Sequence, residues 1–402
     1  MTSNLAQQFL LDPDVVFLNH GSFGACPRPV FEDYQRWQLQ LERQPVAFLD
    51  GRRGLKTNLL HAREALAREM GTSPENLAQV VNATTGLNIV LQSLPLKPGD
   101  EIVTTNHEYN ALEKTLTYIA RKTGARIVVA EIVLPLTSAQ EFHDTVAAQF
   151  TDRSRVLFLS HITSATALVF PVETLIAEAR RRGMWSVIDG AHVPGHIPLD
   201  LDALGADFYS GNCHKWLMSP KGSAFVHSRP EWQAMLDPLV ISHGWTADNK
   251  EPEVVGPFGN SPFVDEIEMQ GTRDPSAWLA VPAAIEFRHK HDWWKVAADC
   301  SRLAQETAAR MGELTGLAPL STPEFCAPQM VAIPIPPCDT QALKAALLAK
   351  YNIEIPVHQW QSHFIVRLSC QGYNTRSQMD LLVEALSDLL GLRSRDRRLS
   401  QA

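Results

Sequence analysis

Tyr209–Leu217 reads Tyr-Ser-Gly-Asn-Cys-His-Lys-Trp-Leu, and this stretch of the 402-residue chain decides its fold. Upstream, a second apolar run ends in Asp189, within the segment Ser186–His192. A carboxylate at the end of one apolar run and a lysine just past the next suit the chemistry of pyridoxal phosphate (PLP). The lysine holds the aldehyde as a Schiff base, and the aspartate keeps the ring nitrogen protonated so that the ring accepts electrons. The spacing therefore predicts a PLP site with Lys215 and Asp189 as catalytic residues.

The composition is that of a globular protein, with 45% hydrophobic and 20% charged residues. A net charge of −8 argues against nucleic-acid binding, and we interpret the one basic run, at 393–398, as a solvated terminus. No apolar run approaches the ~20 residues that span a bilayer, and the N-terminus lacks a secretory pattern. The six cysteines are scattered and the histidines lack metal-ligand spacing. We expect a cytoplasmic protein with reduced thiols, no metal and no membrane contact.

Short apolar runs alternate with longer helical patterns along the first 230 or so residues. Strands separated by helices predict a mostly parallel sheet that is covered on both faces. Ligands gather at the carboxyl ends of the strands in such sheets, so Asp189, His161 and Ser210 are expected near one crevice. The seven predicted strands are Gln79–Asn82, Glu101–Thr105, Arg126–Ile132, Val156–His161, Trp185–Asp189, Ala206–Ser210 and Ser223–His227.

Later composition shifts predict the domain organisation. Residues 251–262 are rich in Pro, Gly and Glu and predict a loop, and a helical pattern follows from Pro275 to about Ala309. Pro319–Pro337 holds six prolines and separates a last α+β stretch. We predict an N-terminal arm (1–28) that packs with the small domain, a large PLP-binding domain (29–288) and a small α+β C-terminal domain (289–402).

A phosphate site is predicted where a strand meets a helix, at Val80–Asn88. Thr84 or Thr85 can cap the helix, and its free N–H groups and dipole favour an anion. A simple helix cap is the alternative. The order of this turn, Asp189 and Lys215 along the chain strengthens the phosphate interpretation.

Two further segments offer contacts to a cofactor ring. Thr105–Asn110 follows a strand, and an imidazole or phenol there could stack on a flat cofactor; a local hydrogen bond is the alternative. His192 lies three residues after Asp189 and could donate to the ring hydroxyl. Its alternative role is to orient the Gly190–Gly195 turn.

A substrate anchor is predicted at Arg367, inside the short strand Ile365–Ser369. A buried guanidinium needs an anion, and a carboxylate fits its fork in bidentate fashion. A structural salt bridge is the alternative.

Together these segments resemble the fold-type I PLP enzymes, and among them the class V aminotransferase superfamily and its isopenicillin-N epimerase-like branch. The resemblance runs from about residue 10 to residue 390. It is carried by Leu18–Gly24, Asp189–His192, Gly211–Leu217, Gln270–Asp274 and Arg367–Ser369.

The resemblance implies a PLP-transferase-like large domain with a mostly parallel seven-stranded sheet, and a role for each site residue. Arg367 is implied to clamp the carboxylate of an amino-acid substrate. Thr272 is implied to contact the phosphate from a second subunit, so that a homodimer has its active sites at the subunit interface. The other implied cofactor contacts are Thr84, Thr85, Asn212 and His214 at the phosphate, His107 as the stacking ring, and Asp189, His192 and Lys215 at the ring; His20, Ser22 and Ser164 are implied on the substrate side.

After proton removal by Lys215 we expect epimerisation, and three alternative outcomes stay open. Epimerisation needs a second acid, and His20, Tyr109, His358 and Tyr373 are the candidates. Loss of a β-sulfur would make a C–S lyase, transamination is a third outcome, and an inactive PLP-scaffold protein is a fourth. A cysteine desulfurase that forms a persulfide is disfavoured because residues 356–363 contain no thiol.

Overall fold

The computed structural model describes residues 3–51, 53–246 and 254–392. The basic run at 393–398 and the start of the loop predicted at 251–262 lie outside the described residues. The strands are β1 Val16–Phe17, β2 Leu77–Val80, β3 Glu101–Thr105, β4 Arg126–Ala130, β5 Ser154–Ser160, β6 Trp185–Asp189, β7 Phe208–Asn212, β8 Ala224–Ser228, β9 Met330–Ile335, β10 Ile353–Glu354, β11 Val357–Trp360 and β12 His363–Ser369.

The helices cover both sheets and connect their strands. The α-helices are α1 Ser3–Ala6, α2 His20–Phe23, α3 Arg28–Arg43, α4 Pro45–Leu49, α5 Leu55–Met70, α6 Ala83–Ser93, α7 Asn110–Thr123, α8 Ala139–Ala147, α9 Glu173–Arg181, α10 Leu201–Leu204, α11 Pro230–Gln233, α12 Pro262–Glu268, α13 Ser276–Leu279, α14 Val281–Lys290, α15 Trp293–Thr315, α16 Thr340–Tyr351 and α17 Arg376–Leu389. Pro74–Asn76 and Pro323–Phe325 form short 3-10 helices.

Seven strands form the main sheet in the order β2-β8-β7-β6-β5-β3-β4. Strand β8 runs antiparallel to both of its neighbours, and the other pairs are parallel. The prediction of a mostly parallel seven-stranded sheet is therefore confirmed. Strand β2 ends at Val80, two residues before the predicted end, because Asn82 leaves the sheet to cap helix α6.

Helices cover both faces of the main sheet, and neighbouring residues of one strand point into different cores. Along β5, Leu157 and Leu159 belong to one cluster of buried side chains, and Val156 and Phe158 belong to another. Successive side chains of a strand alternate between faces, so two cores on one strand mean that both faces are covered. A strand buried on both faces reads as a continuous apolar run, which is the pattern the sequence has here.

A second, antiparallel sheet has the order β11-β12-β9 and carries Arg367 on its central strand. Strand β9 lies inside Pro319–Pro337, a proline-rich stretch that was predicted to separate two structured regions. That interpretation was wrong because β9 is an edge strand, where the missing N–H of Pro334 is tolerated.

The predicted long helix from Pro275 to Ala309 is three helices, α13, α14 and α15. Asp292 interrupts the pattern with a φ of 46°, in the left-handed region, immediately before α15. This conformation turns the chain sharply although the apolar periodicity continues on either side.

The N-terminal segment packs against the C-terminal part of the chain. Strand β1 pairs with β10, and the amide of Ser369 donates to the carbonyl of Leu18 over 3.0 Å. Leu18 lies in the same buried cluster as Leu368. These contacts bring helix α2, which follows Leu18, beside the strand that carries Arg367.

Three further findings bear on function. No helix among the described residues is long and apolar enough to cross a membrane. Over the same ranges, no group of three or more His, Cys, Asp or Glu side chains is arranged to hold a metal ion. All six cysteines are free thiols.

Candidate active site

A cavity of about 260 Å³ opens where β5, β6 and β7 end and helix α6 begins. Its lining includes Asp189, His192, Asn212, His214 and Lys215. Parallel strands present their carboxyl ends at one edge of a sheet, and this edge is where ligands bind in open α/β folds. The alternation of strands and helices therefore accounts for residues distant in sequence sharing one cavity.

Lys215 is half-buried and lines the cavity. Its Nζ lies 2.9 Å from Nε2 of His192. Burial, together with the positive charge of Arg367, lowers the pKa of the Lys215 amine to about 7, and Asp189 opposes this shift. A large share of the amine is therefore uncharged near neutral pH, which suits a nucleophile or a base.

Asp189 is a buried carboxyl at the end of β6. Its Oδ1 accepts a hydrogen bond from the amide of Ala191 over 2.9 Å. Burial raises the pKa of the carboxyl, although the Ala191 amide and Lys215 act in the opposite direction. The next residue must be glycine, because a Cβ on Gly190 would lie 2.0 Å from the ring of Tyr209.

His161 and Ser210, predicted near the crevice, do not line this cavity. The Nδ1 of His161 lies 3.2 Å from the hydroxyl of Tyr209, and the hydroxyl of Ser210 donates to the carbonyl of Phe225 over 2.7 Å. Both side chains are buried, and these hydrogen bonds connect them to the sheet beneath the cavity. The alternation of strands and helices predicts which edge of the sheet carries the cavity, but it does not predict which side chains at that edge line it.

The start of helix α6 differs in detail from the prediction. Asn82 is the N-cap, and its Oδ1 accepts from the amide of Thr85 over 2.8 Å, so neither threonine caps the helix. Thr84 lines the cavity, whereas the hydroxyl of Thr85 donates to Asn82 over 3.1 Å. Asn212 ties the helix to β7, since its Oδ1 accepts from the amide of Ala83 over 2.9 Å.

His214 carries a polar atom that fits a missing ligand. Its Nδ1 is buried, and no hydrogen-bond partner for it exists among the described residues. Burial, with the nearby positive charge of Lys215, lowers the pKa of this imidazole to about 4. An unpaired nitrogen beside the helix start and Thr84 matches a ligand that brings its own polar atoms, as a phosphate group does.

Arg367 is buried without a carboxylate partner in the described parts of the chain. One terminal nitrogen donates to the carbonyl and the hydroxyl of Ser164, over 2.6 and 3.2 Å, and the other donates to the hydroxyl of Ser22 over 3.0 Å. Its Nε is buried and has no partner there. Burial lowers the pKa of the guanidinium to about 10, so it remains a cation. A buried cation held by neutral oxygens is suited to an anionic ligand.

His107, predicted as the stacking ring, lies outside the cavity. Its Nδ1 bonds to the hydroxyl of Thr166 over 2.8 Å and its Nε2 to the carbonyl of Ile132 over 3.1 Å, so both nitrogens are occupied. Its ring packs on Trp360 at 4.2 Å between centroids. Tyr109, two residues later, lines the cavity and is 46% exposed. The structure thus brings Tyr109 of this segment to the cavity lining, in place of the predicted His107.

His20 lies beneath the lysine and not in the cavity. Its Nε2 donates to the backbone carbonyl of Lys215 over 3.0 Å, and its Nδ1 accepts from the hydroxyl of Tyr373 over 3.0 Å. His358 donates to the carbonyl of Ala165 over 3.1 Å. Of the four residues predicted as a possible second acid, the structure brings only Tyr109 into the cavity lining.

Thr272 is exposed and lies apart from this cavity, in a surface cleft of about 250 Å³ that also contains Gln79 and Met269. A single chain therefore does not bring it to Lys215. Its predicted contact with a phosphate in a second subunit stays a prediction.

Sequence reasoning missed a buried carboxyl next to the site. Glu108 accepts from the amide and the hydroxyl of Ser160, over 2.8 and 2.6 Å, and from the hydroxyl of Thr105 over 2.7 Å. Burial raises its pKa to about 7; the hydrogen bonds oppose this shift, and the negative charge of Asp189 adds to it. The position of an acidic residue just past a buried strand was the signal that could have revealed it.

Comparison with known proteins supplies the class. The family model for class V aminotransferases matches residues 33–382. An isopenicillin N epimerase of Amycolatopsis lactamdurans is 37% identical over 394 residues, which cover 96% of this chain and 98% of that protein. A probable chloroplastic L-cysteine desulfhydrase of Arabidopsis thaliana is 29% identical over 413 residues, which cover 94% of this chain and 84% of that protein.

A solved structure shares the fold. A C-DES mutant with glycine covalently linked to its PLP cofactor superposes with a TM-score of 0.80 at 20% identity, covering 95% of this chain and 98% of that one. The chain belongs to the class V aminotransferase family, and PLP is its cofactor. The predictions of family, fold class and cofactor are confirmed.

Proposed function

We propose that the protein acts at the α-carbon of an amino-acid substrate and epimerises it. The observation that carries this proposal is the Lys215 amine, whose pKa is lowered to about 7 in a cavity shared with Asp189 and near an uncompensated Arg367. When bound, PLP supplies an electron-accepting ring that stabilises the negative charge left at the α-carbon after a proton is removed. The chain must then bind, orient and exchange protons.

The cofactor contacts follow from the cavity lining. Thr84, Asn212 and His214 would hold the phosphate, with Thr84 in preference to Thr85 because the Thr85 hydroxyl already bonds to Asn82. Asp189 would pair with the ring nitrogen, and His192 would donate to the ring hydroxyl. The proposal includes a homodimer in which Thr272 of a second copy completes the phosphate site.

The substrate contacts follow from the charge of Arg367. Its fork would bind the α-carboxylate, with the hydroxyls of Ser22 and Ser164 holding the guanidinium in place. Lys215 Nζ would then take the proton from the α-carbon. Fixing these groups in reactive geometry is worth ~7 kcal/mol or more of the barrier.

Epimerisation requires a proton donor other than the lysine. Tyr109 fits this role because its phenol lines the cavity, whereas His20, His358 and Tyr373 are engaged elsewhere. Its ring would also take the position at the cofactor that was predicted for His107. The similarity to proteins named isopenicillin N epimerase supports this reaction.

A C–S lyase is the second candidate. Relatives named L-cysteine desulfhydrase, at 27–29% identity, support it. The same lysine and arginine would serve, because loss of a β-sulfur also begins with removal of the α-proton. A desulfurase that passes sulfur to its own cysteine is a poorer fit, because no thiol is among the residues that line the cavity.

Incubation in D₂O separates the two candidates. With isopenicillin N as substrate, the epimerase predicts deuterium at the α-carbon with inverted configuration. With L-cysteine, the lyase predicts sulfide, pyruvate and ammonia. If neither set of products forms with either substrate, both proposals are rejected for these two compounds.

The role of Lys215 is tested by Lys215→Ala. We expect turnover to fall by ~10²-fold or more, the usual contribution of a general base, while PLP remains bound without a covalent link. Lys350→Ala is the matched control, because Lys350 is an exposed lysine paired with Asp388. Undiminished turnover by Lys215→Ala would contradict the assignment.

A further inference from the structure

Two histidines on one turn each face a group that can only donate a hydrogen bond. The indole N–H of Trp216 donates to Nδ1 of His192 over 3.3 Å. The backbone N–H of Gln329 donates to Nε2 of His196 over 3.0 Å. Neither donor has a lone pair to offer, so the ring nitrogen that faces it must be unprotonated.

This logic gives the two rings opposite tautomers. His196 carries its proton on Nδ1 and donates it to the carbonyl of His192 over 3.1 Å. His192 carries its proton on Nε2, which lies 2.9 Å from Nζ of Lys215. Both rings are neutral, because burial lowers the pKa of His196 to about 3 and that of His192 well below its usual value.

We propose that Trp216 is a positioning residue that sets the tautomer of His192, so that an N–H always faces Lys215. The amine accepts this hydrogen bond through its lone pair, which requires its uncharged form. A hydrogen bond from the same N–H to the hydroxyl of the cofactor ring rests on the proposed function. The assignment of the tautomer does not depend on the proposed function.

The indole is held so that its N–H cannot turn away. Trp216 is fully buried and stacks on His196, with centroids 3.9 Å apart and an interplanar angle of 18°. On another side the indole packs against the His20 ring, with centroids 5.0 Å apart. Arg288 donates to its backbone carbonyl over 2.9 Å. The direction of the N–H is therefore set by packing on a rigid part of the fold.

Without the indole N–H, no donor at Nδ1 of His192 favours the tautomer that is protonated on Nε2. If the proton moved to Nδ1, Nε2 of His192 would become an acceptor and would favour a charged Lys215. A substitution at Trp216 replaces none of the other titratable groups around this pair, which are Asp189, Arg367, His196 and His214. A higher pKa of Lys215 would thus report the altered tautomer and not a general loss of structure.

The tautomers can be read in the protein freed of PLP. Histidine is labelled with ¹⁵N, and the His192 signals are assigned by their loss in His192→Gln. We expect wild-type His192 to show a protonated Nε2 and an unprotonated Nδ1, and His196 to show the reverse. A protonated Nδ1 on wild-type His192 would overturn the proposal, even if no Trp216 variant folded.

Trp216→Phe keeps an aromatic ring and removes the N–H. We expect the His192 spectrum to change to a mixture of tautomers or to the Nδ1-protonated form, while the tautomer of His196 persists as an internal control. Trp232→Phe is the matched control, because its indole N–H donates to Asp207 over 2.9 Å, away from the cavity. An unchanged His192 tautomer in folded Trp216→Phe would also overturn the proposal. These signals require neither PLP nor turnover, so failure of the proposed function would leave them unaffected.

Discussion

Two buried arginines of this protein meet opposite surroundings. Arg63, on helix α5, is 1% exposed, and one of its nitrogens lies 3.1 Å from both carboxylate oxygens of Glu268. Arg367 is 6% exposed, and its described partners are the neutral oxygens of Ser22 and Ser164. The chain thus buries one cation with a countercharge and another without one.

The difference separates a structural charge from a binding charge. A buried ion pair holds two segments together, and removing one partner strands the other charge in a poor solvent. A buried cation with only neutral partners retains its attraction for an incoming anion, and the fold bears the cost of desolvating it. The four predictions below test this division.

Arg63→Met is expected to have the largest effect on stability. It leaves Glu268 buried without its partner, which costs ~3–5 kcal/mol of unfolding free energy. Urea unfolding of the PLP-loaded protein measures the loss. The double variant Arg63→Met/Glu268→Met should recover part of it, because it leaves no carboxylate without Arg63, while Arg273 loses the nearby charge of Glu268. The interpretation fails if the double variant is as unstable as Arg63→Met.

Arg367→Met is expected to act on catalysis. Loss of a buried charged contact to the substrate carboxylate should cost ~2–5 kcal/mol of binding free energy in the transition state. This corresponds to a decrease in kcat/KM of about 30-fold to several thousand-fold. The unfolding free energy should fall far less than in Arg63→Met, because no carboxylate is stranded. Arg367→Lys keeps the charge without the fork, and should retain activity between that of the wild type and that of Arg367→Met. An Arg367→Met variant that lost stability but kept kcat/KM would show that the arginine is structural.

The uncompensated charge of Arg367 should also be visible at Lys215. In the protein freed of PLP, an acylating reagent should label Lys215 faster as the pH rises, and the midpoint of this pH profile should lie at about 7. The pKa of the amine is low because of its burial and, to a smaller extent, the positive charge of Arg367. Arg367→Met should move this midpoint upward, since it removes a positive charge that disfavours the ammonium form. Arg63→Met should not move it. Labelling of Lys350, whose pKa is raised by Asp388, supplies an internal reference in the same mass spectra.

The main sheet could be predicted from the sequence because strands that are buried on both faces consist of continuous apolar runs. The same reasoning singled out Lys215, Asp189 and Arg367 as candidates, because their residue types are unusual next to or inside such runs. Strand β9 was missed because its proline suggests a loop unless the strand is known to lie at an edge.

The orientation of side chains was beyond a single sequence. Residues 105–110 contain two aromatic rings, and only packing decides that His107 enters the core beside Trp360 while Tyr109 faces the cavity. The cap at Asn82 was missed for a related reason, since Asn, Thr84 and Thr85 are all competent caps and the end of β2 decides among them.

Ser22→Ala should have the smallest effect and sharpens the comparison most. Its hydroxyl accepts one hydrogen bond from Arg367, so its loss should cost ~0.5–1.5 kcal/mol, or about a two- to tenfold rise in KM. The rate kcat should change little, because the arginine keeps its charge and its contacts to Ser164. Ser22→Thr retains a hydroxyl and should restore KM. A drop in kcat without a change in KM would mean that this hydroxyl serves the proton-transfer step, and the neutral partners of Arg367 would then be part of the chemistry as well as its support.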